Sequence, residues 1–466
     1  MLEIRMFKVI VSNGVFRFHL VAAAMEAARR GALDIFVTGA YPKGRFARYW
    51  LANFGKKSAR LARFFDRASE SVPDERVVSI WSAELLIQAG VIFGRIFGLH
   101  EVNERLQGAG LQIYGRLACC AVERSNADIY HFRAGYGGRS VALAKAKGML
   151  CLCDHSVVSP LVFDFMVENG GKLPDRETMA ATKLSPMWKR VLADIEAADH
   201  ILANSELVRT TLICHRIPRR KISVIYQGLD EKFIAGIPRE ISRNGPGHLL
   251  FAGEVSRRKG FDVIIQALEK IPSSEWVLTV AGNVNEKATQ DYSAFLRREN
   301  VRHAGFVSRE ALAELMVATP IFLFPSLAEG SARVVFEALA CGCYVITTPN
   351  AGSVVEDGRH GSLVKPGDPH ALQAAILAAL ANPSRVQEVG ASNRSFVRTH
   401  YGQSSYGDQL DALYKRLLGH ADAVLPHGAR VGAVSARPLA LSDHDPLGPE
   451  AFSTAASLDT HEKEQG

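Results

Sequence analysis

Short apolar runs that stop at turn residues alternate with amphipathic stretches along most of the chain. Four such runs in the first half predict buried parallel strands, at residues 7–11, 33–38, 128–132 and 149–153. The stretches between them carry apolar positions at helical spacing, as in residues 16–31 and 140–147. The order strand, turn, helix, strand is typical of a Rossmann-like domain. The same alternation returns after residue 248, so we predict two α/β domains.

The clearest of these units spans residues 321–348. An apolar run, residues 321–324, stops at Pro325 and Ser326, and a loop with Glu329 and Gly330 follows. A helix with an apolar stripe then runs to Gly342, and a new strand begins at Tyr344. Because ligands of open α/β sheets bind at the loops beyond the carboxyl ends of the strands, this loop is the first candidate site.

The residue types of this loop suit a phosphorylated sugar. Gly330, Ser331 and Ala332 are small, so a ligand can approach the main chain, and the start of a helix offers N–H groups to phosphate oxygens. Glu329 and Glu337 are eight residues apart, up to ~12 Å along a helix, which places them to hold two ends of an elongated ligand. The alternative, one loop carboxylate and one solvated helix carboxylate, is the default for an isolated pair.

The surrounding residues change that balance. The sequence P-S-x-x-E-G-S-A-R-V-V-F-E-A-L-A-C-G, residues 325–342, resembles the donor-binding signature of the retaining glycosyltransferases of family 4, which have the two-domain GT-B fold. The resemblance implies that Glu329 contacts the transferred sugar and that Glu337 contacts the nucleotide ribose. It is strong over residues 197–385, moderate over residues 7–160 and absent from the C-terminal tail.

The resemblance extends to a loop after the predicted strand 248–252. Family members usually follow the glycine at position 253 with an arginine, and a lysine five residues later also meets the donor phosphates. Lys259 fits this pattern, although a solvated loop lysine is the alternative. Glu254 departs from it, and Arg257 or Arg258 would have to replace the missing arginine.

Candidates for the acceptor side lie in the first half of the chain. In the family, a histidine after the corresponding strand lies near the reacting sugar, and His155 matches it, with a structural histidine as the alternative. The first loop of the family faces the cleft, which makes Asn13, Gly14, Phe16 and His19 weak candidates for acceptor contacts. This loop lacks G-x-G-x-x-G, which argues against a nicotinamide cofactor.

The positive charge of the chain is concentrated near its start. The net charge is +7, yet residues 1–67 hold thirteen Lys and Arg against four Asp and Glu. Within them, residues 43–67 interleave eight basic residues with aromatic ones at roughly helical spacing. Such a segment can lie in an anionic membrane interface, or it can be an amphipathic helix docked on its own domain. RNA binding is a weaker third interpretation, because no nucleic-acid motif accompanies the charge.

Composition favours a cytoplasmic protein. The first ten residues carry Glu3, Arg5 and Lys8 instead of the apolar core of a signal peptide. The longest apolar stretch, residues 85–99, is too short to span a bilayer. Seven cysteines without C-x-x-C spacing indicate neither a disulfide framework nor a zinc site.

We therefore predict two Rossmann-like, doubly wound domains of GT-B type that face an interdomain cleft. Residues 1–230 would bind the acceptor, residues 231–403 the nucleotide sugar, residues 404–419 would form a helix that returns to the first domain, and residues 420–466 a disordered tail. The predicted activity is sugar transfer from a nucleotide diphosphate sugar to a glycan or lipid-linked acceptor, such as a cell-surface polysaccharide precursor. Retention of anomeric configuration is implied by the resemblance alone.

We expect no resident cofactor and no metal, because no D-x-D follows a predicted strand and fixed cations can stabilise the diphosphate. The expected location is cytoplasmic, with peripheral contact at the inner face of the membrane through residues 43–67, and no nucleic-acid partner is expected. Alternatives are a non-catalytic GT-B scaffold that binds a membrane or a partner, and a GT-B epimerase or phosphorylase.

Overall fold

Two parallel β-sheets with flanking helices form the framework of the chain. The structure is a computed structural model that describes residues 7–16, 20–44, 71–181, 184–239, 244–245, 247–284 and 286–419. The first sheet has seven strands in the order β3-β2-β1-β4-β5-β6-β7, and the second has six in the order β10-β9-β8-β11-β12-β13. The predicted two-domain α/β layout of GT-B type is thus confirmed.

The first sheet and its helices occupy the chain up to residue 224. Its strands are β1 (Val9–Ser12), β2 (Leu33–Thr38), β3 (Val77–Ser79), β4 (Ile129–Arg133), β5 (Leu150–His155), β6 (His200–Ala203) and β7 (Ile222–Val224). Its helices are α1 (Leu20–Arg29), α2 (Trp81–Phe97), α3 (His100–Arg124), α4 (Arg139–Ala146), α5 (Pro160–Glu168), α6 (Arg176–Ala181), α7 (Pro186–Ala197) and α8 (Glu206–Cys214).

The second sheet begins after a short helix, α9 (Glu231–Gly236). Its strands are β8 (His248–Ala252), β9 (Val277–Ala281), β10 (Val301–Gly305), β11 (Ile321–Phe324), β12 (Tyr344–Thr347) and β13 (Gly361–Leu363). The helices are α10 (Phe261–Leu268), α11 (Glu286–Leu296), α12 (Arg309–Ala318), α13 (Arg333–Cys341), α14 (Pro369–Ala381), α15 (Pro383–His400) and α16 (Gln403–Leu417).

The strand order of each sheet determines where its ligand-binding loops lie. All strands are parallel, but successive strands of the first sheet are added to one side of β1 up to β3 and to its other side from β4. In the second sheet the same change occurs between β8 and β11. Loops at such a switch point diverge to opposite faces of the sheet and leave a crevice between them. In the second sheet these are the loops after Ala252 and after Phe324. β11 is buried at all four positions, so the apolar run before the predicted site is a central strand.

The C-terminal helix α16 packs back on the first sheet's helices, as predicted. The Tyr414 hydroxyl lies 2.7 Å from Nδ1 of the buried His131 on β4. The ring of Tyr414 also packs edge-on against Phe7, at 5.7 Å between centroids. On the surface of the same contact, Arg30 and Asp408 form an ion pair of 2.6 Å. His131 is therefore part of this structural contact.

One predicted helix does not include its predicted first residue. Apolar spacing predicts a helix from residue 16, and the described part of α1 is Leu20–Arg29, with residues 17–19 outside the described residues. Phe16 has a φ of 66°, in the left-handed region, so it belongs to the turn after β1.

Helices α2 and α3 form a hairpin with an exposed apolar face. Leu85 is 63% exposed and Ile96 is 67% exposed, and Trp81, Ile92 and Phe97 are exposed on the same helix. Within the described residues, no helix combines the length and apolar character that crossing a membrane requires.

Three sequence predictions fall outside the described residues. They concern His19, the part of the basic segment from residue 45 to residue 67, and the tail from residue 420 to residue 466.

Candidate functional site

Two loops of the second domain meet at the switch point between β8 and β11. Residues Arg257–Lys259 form a 3-10 turn, and the Arg258 carbonyl accepts hydrogen bonds from Leu327 N at 2.9 Å and Ser326 Oγ at 3.0 Å. These bonds fix the first loop against the signature loop. Gly253, at the start of the first loop, has a φ of 144°, and a Cβ there would lie 4.0 Å from Cε of Lys259.

The predicted phosphate-binding lysine and the predicted sugar-binding carboxylate are in direct contact. Lys259 Nζ lies 2.5 Å from Glu329 Oε1, and Arg258 pairs with the same oxygen. The ammonium also lies 4.9 Å from the centroid of the Phe324 ring. Burial lowers the pKa of Lys259, and the charge of Glu329 acts in the opposite direction. The site thus holds two cations around one carboxylate.

The two arginines of this loop have different neighbours. Arg258 lies 3.7 Å from Glu254, at the end of the loop where the family usually has an arginine. Arg257 is directed toward the first domain and donates to the Glu168 carbonyl at 3.4 Å. Of the two predicted replacements, only Arg258 therefore lies beside Glu329 and Lys259.

Glu337 lies within α13 and is buried among arginines. Its Oε1 accepts a hydrogen bond from Arg309 Nε at 3.0 Å, and Arg333 lies 3.5 Å away. Asp230 pairs with the same two arginines, at 2.5 Å to Arg309 and 2.6 Å to Arg333. Burial raises the pKa of Glu337, against the attraction of both arginines. Sequence reasoning missed Arg309 and Asp230, which lie outside the signature and reach Glu337 only through the fold.

The small residues before α13 form an interdomain contact. The Gly330 carbonyl accepts a hydrogen bond from Ser205 of the first domain. A Cβ at Gly330 would overlap the Ser156 carbonyl, which follows His155. Ser331 is half-buried. The N–H of Ala332 donates to the Ala351 carbonyl at 2.9 Å, so this amide is already used, in contrast to the expectation of N–H groups open to phosphate.

His155 ends β5 and faces a small cavity. The cavity, of about 180 Å³, is also lined by Arg133, Tyr136 and Trp188. The imidazole is 3% exposed, and burial, with the charge of Arg133, lowers its pKa to about 4. At neutral pH the ring is therefore uncharged. Because Ser156 touches Gly330, the fold brings the His155 and Glu329 loops together.

The loop after β1 contains the weak acceptor-side candidates Asn13, Gly14 and Phe16. It is held by a hydrogen bond within the loop and by contacts with two tyrosines from other parts of the first domain. The Asn13 side chain donates to the Phe16 carbonyl at 2.9 Å, and Gly14 N donates to the Tyr114 hydroxyl at 2.9 Å. A Cβ on Gly14 would lie 2.8 Å from the Tyr136 ring, so glycine is required for this approach. Since Tyr136 also lines the His155 cavity, the loop borders that cavity.

A further hydrogen bond joins the two domains near the site. Asn350 Nδ2 donates to the Gly171 carbonyl of the first domain at 2.7 Å, and within the second domain it donates to the Leu327 carbonyl at 2.9 Å. With the contacts of Gly330 and Arg257, the bond to Gly171 holds both sides of the cleft together. In the described part of the chain, no group of three or more His, Cys, Asp or Glu is arranged to hold a metal ion.

Comparison with known protein families finds a match within the second domain. Residues 237–396 match the family Glycosyl transferases group 1. This match includes Gly253, Lys259, Glu329 and Glu337, whereas His155 and the first loop lie outside it.

Two of the relatives found by sequence comparison are named as glycosyltransferases. An uncharacterized glycosyltransferase of Methanocaldococcus jannaschii is 22% identical over 265 residues, which cover 54% of this chain and 68% of that protein. A D-inositol 3-phosphate glycosyltransferase of Xylanimonas cellulosilytica is 34% identical over 171 residues, 35% of this chain and 41% of that enzyme. The chain thus spans less than half the length of the second relative.

Solved structures share the fold across both domains. The Anabaena protein HepE, in complex with UDP and glucose, has 15% identity and a TM-score of 0.53, with 88% of this chain and 100% of that chain covered. WaaG, a glycosyltransferase involved in lipopolysaccharide biosynthesis, has 14% identity and a TM-score of 0.53, with 87% and 98% covered. Together, the comparisons support a glycosyltransferase with the GT-B fold.

Proposed function

We propose that the protein is a glycosyltransferase that moves a hexose-type sugar from a nucleotide diphosphate sugar to an acceptor, with retention of anomeric configuration. The observation that carries the proposal is the contact of Lys259 with Glu329 at the switch point of the second sheet, with Glu337 on the helix that follows. A cation for phosphate and two carboxylates for hydroxyl groups match the parts of such a donor.

The chemistry requires charge stabilisation on the departing diphosphate. When the anomeric C–O bond breaks, negative charge develops on the phosphate oxygen, and Lys259 with Arg258 would stabilise it without a metal ion or another cofactor. Glu329, released from these cations, would accept hydrogen bonds from the sugar. His155 is uncharged at neutral pH and can accept a hydrogen bond from a sugar or acceptor hydroxyl.

Uridine diphosphate sugars are the first donors to test. The Anabaena neighbour was crystallised with UDP and with UDP-glucose, which supports this choice of nucleotide. Glu337 would bind the ribose, and donor binding would release it from Arg309 or Arg333.

The proposed acceptor is a glycan or a lipid-linked precursor, bound mainly by the first domain. The names of WaaG and of the Xylanimonas enzyme support acceptors of cell-envelope or phosphorylated type. We further propose a cytoplasmic protein that contacts the membrane peripherally. The exposed apolar residues of α2 support this, and the basic residues 43–67 would supply the charge.

Liposome co-sedimentation tests the membrane contact. Wild type would be compared with a Lys56/Lys57/Arg60/Arg63→Ala variant and an Ile92/Ile96→Gln variant, on anionic vesicles. We expect both variants to sediment less than wild type. Equal sedimentation of all three proteins would reject the membrane contact and leave the transferase proposal unchanged.

Calorimetric binding across UDP-, GDP- and ADP-sugars tests the donor site. We expect one nucleotide class to bind, with a loss of at least about tenfold in Glu337→Ala, because a buried carboxylate contact to the ribose is removed. Asp230→Asn is the matched control, since Asp230 pairs with the same two arginines without lying on the signature helix. Equal losses in the two variants would show that the arginine network matters only for folding.

A non-catalytic GT-B scaffold is the second candidate, and Glu254 in place of the usual arginine favours it. Failure of every nucleotide sugar to bind wild type, with a normal thermal unfolding transition, would support the scaffold.

A further inference from the structure

A second and larger cavity lies in the first domain, on the other side of the loop 134–138. It has a volume of about 410 Å³ and lies between α3, the start of α4 and α7. Three arginines line it, Arg116 from α3, Arg139 from α4 and Arg190 from α7. None of them belongs to the donor site.

These three arginines lack partners that other arginines of the chain have. Among the described residues, none of the three forms an ion pair or donates a hydrogen bond to a carboxylate, whereas Arg309 and Arg333 each contact Asp230 and Glu337. Three guanidinium groups around one cavity repel each other, and a bound anion would relieve that repulsion.

The carboxylate at the wall of the cavity does not neutralise them by contact. Asp194 accepts hydrogen bonds from Gly135 N at 2.8 Å, from Gly137 N at 2.8 Å and from Gly138 N at 2.7 Å. Its side chain is buried at 5% exposure, and its two oxygens are directed at the loop. Asp194 therefore serves to shape the loop 135–138, and burial raises the pKa of this carboxylate while the charge of Arg190 lowers it. Because the hydrogen bonds of Asp194 are made to the loop, the N–H groups of the guanidinium groups remain open to a ligand.

The arginine-lined cavity adjoins the cavity of His155. Tyr136 lines both. At Gly135, between them, a Cβ would lie 3.1 Å from Met187 and 3.2 Å from Val191, which both belong to the wall of the His155 cavity. A ligand bound by the arginines would thus be one loop away from the imidazole that we place beside the reacting sugar.

We propose that the arginine-lined cavity binds a phosphate group of the acceptor, through Arg116, Arg139 and Arg190, and so holds the acceptor hydroxyl toward His155. Guanidinium groups bind phosphate oxygens with paired hydrogen bonds, and three of them can surround the oxygens of a phosphomonoester or a phosphodiester. The source of the phosphate is a soluble phosphorylated acceptor or a lipid headgroup. The role as acceptor site rests on the proposed function, whereas anion binding does not.

Titration with inorganic phosphate, followed by calorimetry, tests the site. We expect a loss of at least about tenfold in affinity in the Arg116/Arg139/Arg190→Gln variant, because the paired charged hydrogen bonds are removed. Arg105→Gln and Arg298→Gln, at exposed arginines of α3 and of the loop after α11, should bind phosphate like wild type. Lys259→Gln distinguishes the donor site: a loss in this variant with none in the triple variant would overturn the proposal.

UDP binding by the triple variant separates this inference from the proposed function. UDP should bind the triple variant as it binds wild type. If UDP does not bind wild type, while phosphate binding still depends on the three arginines, the proposed function fails and the anion site stands. Unchanged phosphate binding in the triple variant overturns the anion site alone.

Chemical protection in the wild-type protein keeps the test valid if the triple variant does not fold. Phenylglyoxal modifies open guanidinium groups, and mass spectrometry would follow Arg116, Arg139 and Arg190 with Arg298 as reference. We expect inorganic phosphate to protect the three and not Arg298. Protection by glucose 6-phosphate would indicate a soluble acceptor, and protection only by phosphatidylcholine vesicles that contain phosphatidylglycerol would indicate a lipid headgroup. No protection by any of these would overturn the proposal.

Discussion

The ammonium of Lys259 lies 2.5 Å from the carboxylate of Glu329, across two loops that are seventy residues apart in sequence. Each group thus neutralises the other without a donor present. A donor phosphate must compete with Glu329 for Lys259, and a donor sugar must attract Glu329 away from Lys259 and Arg258. Donor binding therefore exchanges one set of charged hydrogen bonds for another.

This exchange predicts opposite effects of Glu329→Gln on nucleotide binding and on sugar transfer. UDP, which lacks the sugar, should bind up to about tenfold more tightly, because an amide competes less for the two cations. Transfer should fall by at least about 10²-fold in kcat/KM, because the carboxylate contact to the sugar is lost. Calorimetry with UDP and a product assay measure the two effects.

Glu254→Gln is the matched control for this prediction. Glu254 lies 3.7 Å from Arg258 in the same loop, and the resemblance assigns it no contact with the sugar. A Glu329→Gln protein that binds UDP more weakly than wild type would contradict the competition between phosphate and Glu329.

Burial of Lys259 predicts that nucleotide binding weakens at alkaline pH. Burial lowers the pKa of this ammonium from 10.5, so the folded protein loses the proton at a lower pH than the unfolded chain does. UDP affinity should therefore decline as pH rises toward 10.5. In Lys259→Arg the cation stays charged throughout, so its UDP affinity should remain flat over the same range.

Calorimetric titrations with UDP from neutral to alkaline pH compare how steeply the affinity of the two proteins declines. Lys270→Arg, at a lysine beside His370 on the surface, is the control and should reproduce the wild-type curve. Parallel curves for wild type and Lys259→Arg would show that another group causes the decline.

The sequence predicts the second domain well because its chemistry is local. The apolar run of β11, the turn residues that end it and the amphipathic stripe of α13 all lie within residues 321–342, so spacing alone gives their order. The topology of a parallel sheet then requires the loops after β8 and β11 to be neighbours at the switch point. The assignment of Lys259 and Glu329 to one donor site came from the resemblance of their motifs to the glycosyltransferase family, and the topology explains why the two loops meet.

The groups that sequence reasoning missed come from distant elements. Asp194 accepts hydrogen bonds from the loop 135–138, more than fifty residues away in sequence, and Arg309 donates a hydrogen bond to Glu337 from a neighbouring helix. No spacing in the chain indicates such contacts, because they depend on how helices pack on the sheet. The turn at Phe16 was missed for a local reason, since a positive φ at a bulky residue is uncommon and leaves no pattern.

The neutral imidazole of His155 predicts a specific loss of stability in acid. Its pKa is about 4 in the folded protein and 6.5 in the unfolded chain, so the unfolded chain binds more protons between these values. The free energy of unfolding therefore falls as pH decreases from 6.5 to 4. At pH 5 this histidine should account for a loss of about 2 kcal/mol relative to pH 7.

Urea unfolding of wild type and His155→Asn at pH 7 and pH 5 measures the part of the acid-induced loss in the free energy of unfolding that His155 causes. Other histidines whose pKa is lowered, such as the half-buried His200 and the buried His360, add a similar loss to both proteins and cancel in the comparison. His303→Asn, at an exposed position of the edge strand β10, should behave like wild type. An acid-induced loss of equal size in wild type and His155→Asn would mean that the imidazole is not held neutral by its surroundings.

The close contact of Gly330 with the first domain allows a test of how strongly sugar transfer depends on domain closure. A Cβ at this position would overlap the Ser156 carbonyl, and Gly330 also accepts the Ser205 hydrogen bond from the first domain. Gly330→Ala should therefore keep the two domains apart while it leaves the cations and carboxylates of the donor loops unchanged. We expect nucleotide binding within about threefold of wild type and a fall of at least about tenfold in kcat, because closure positions the acceptor against the sugar. Small-angle X-ray scattering should show a larger radius of gyration for the variant in the presence of UDP.

Gly236→Ala, where a Cβ meets no atom within 4 Å, is the control for the loss of glycine itself. A variant with reduced kcat but the wild-type radius would place the effect of Gly330 on the local loop instead of on closure, and a variant with wild-type kcat would mean that the contact between Gly330 and Ser156 is not needed for transfer.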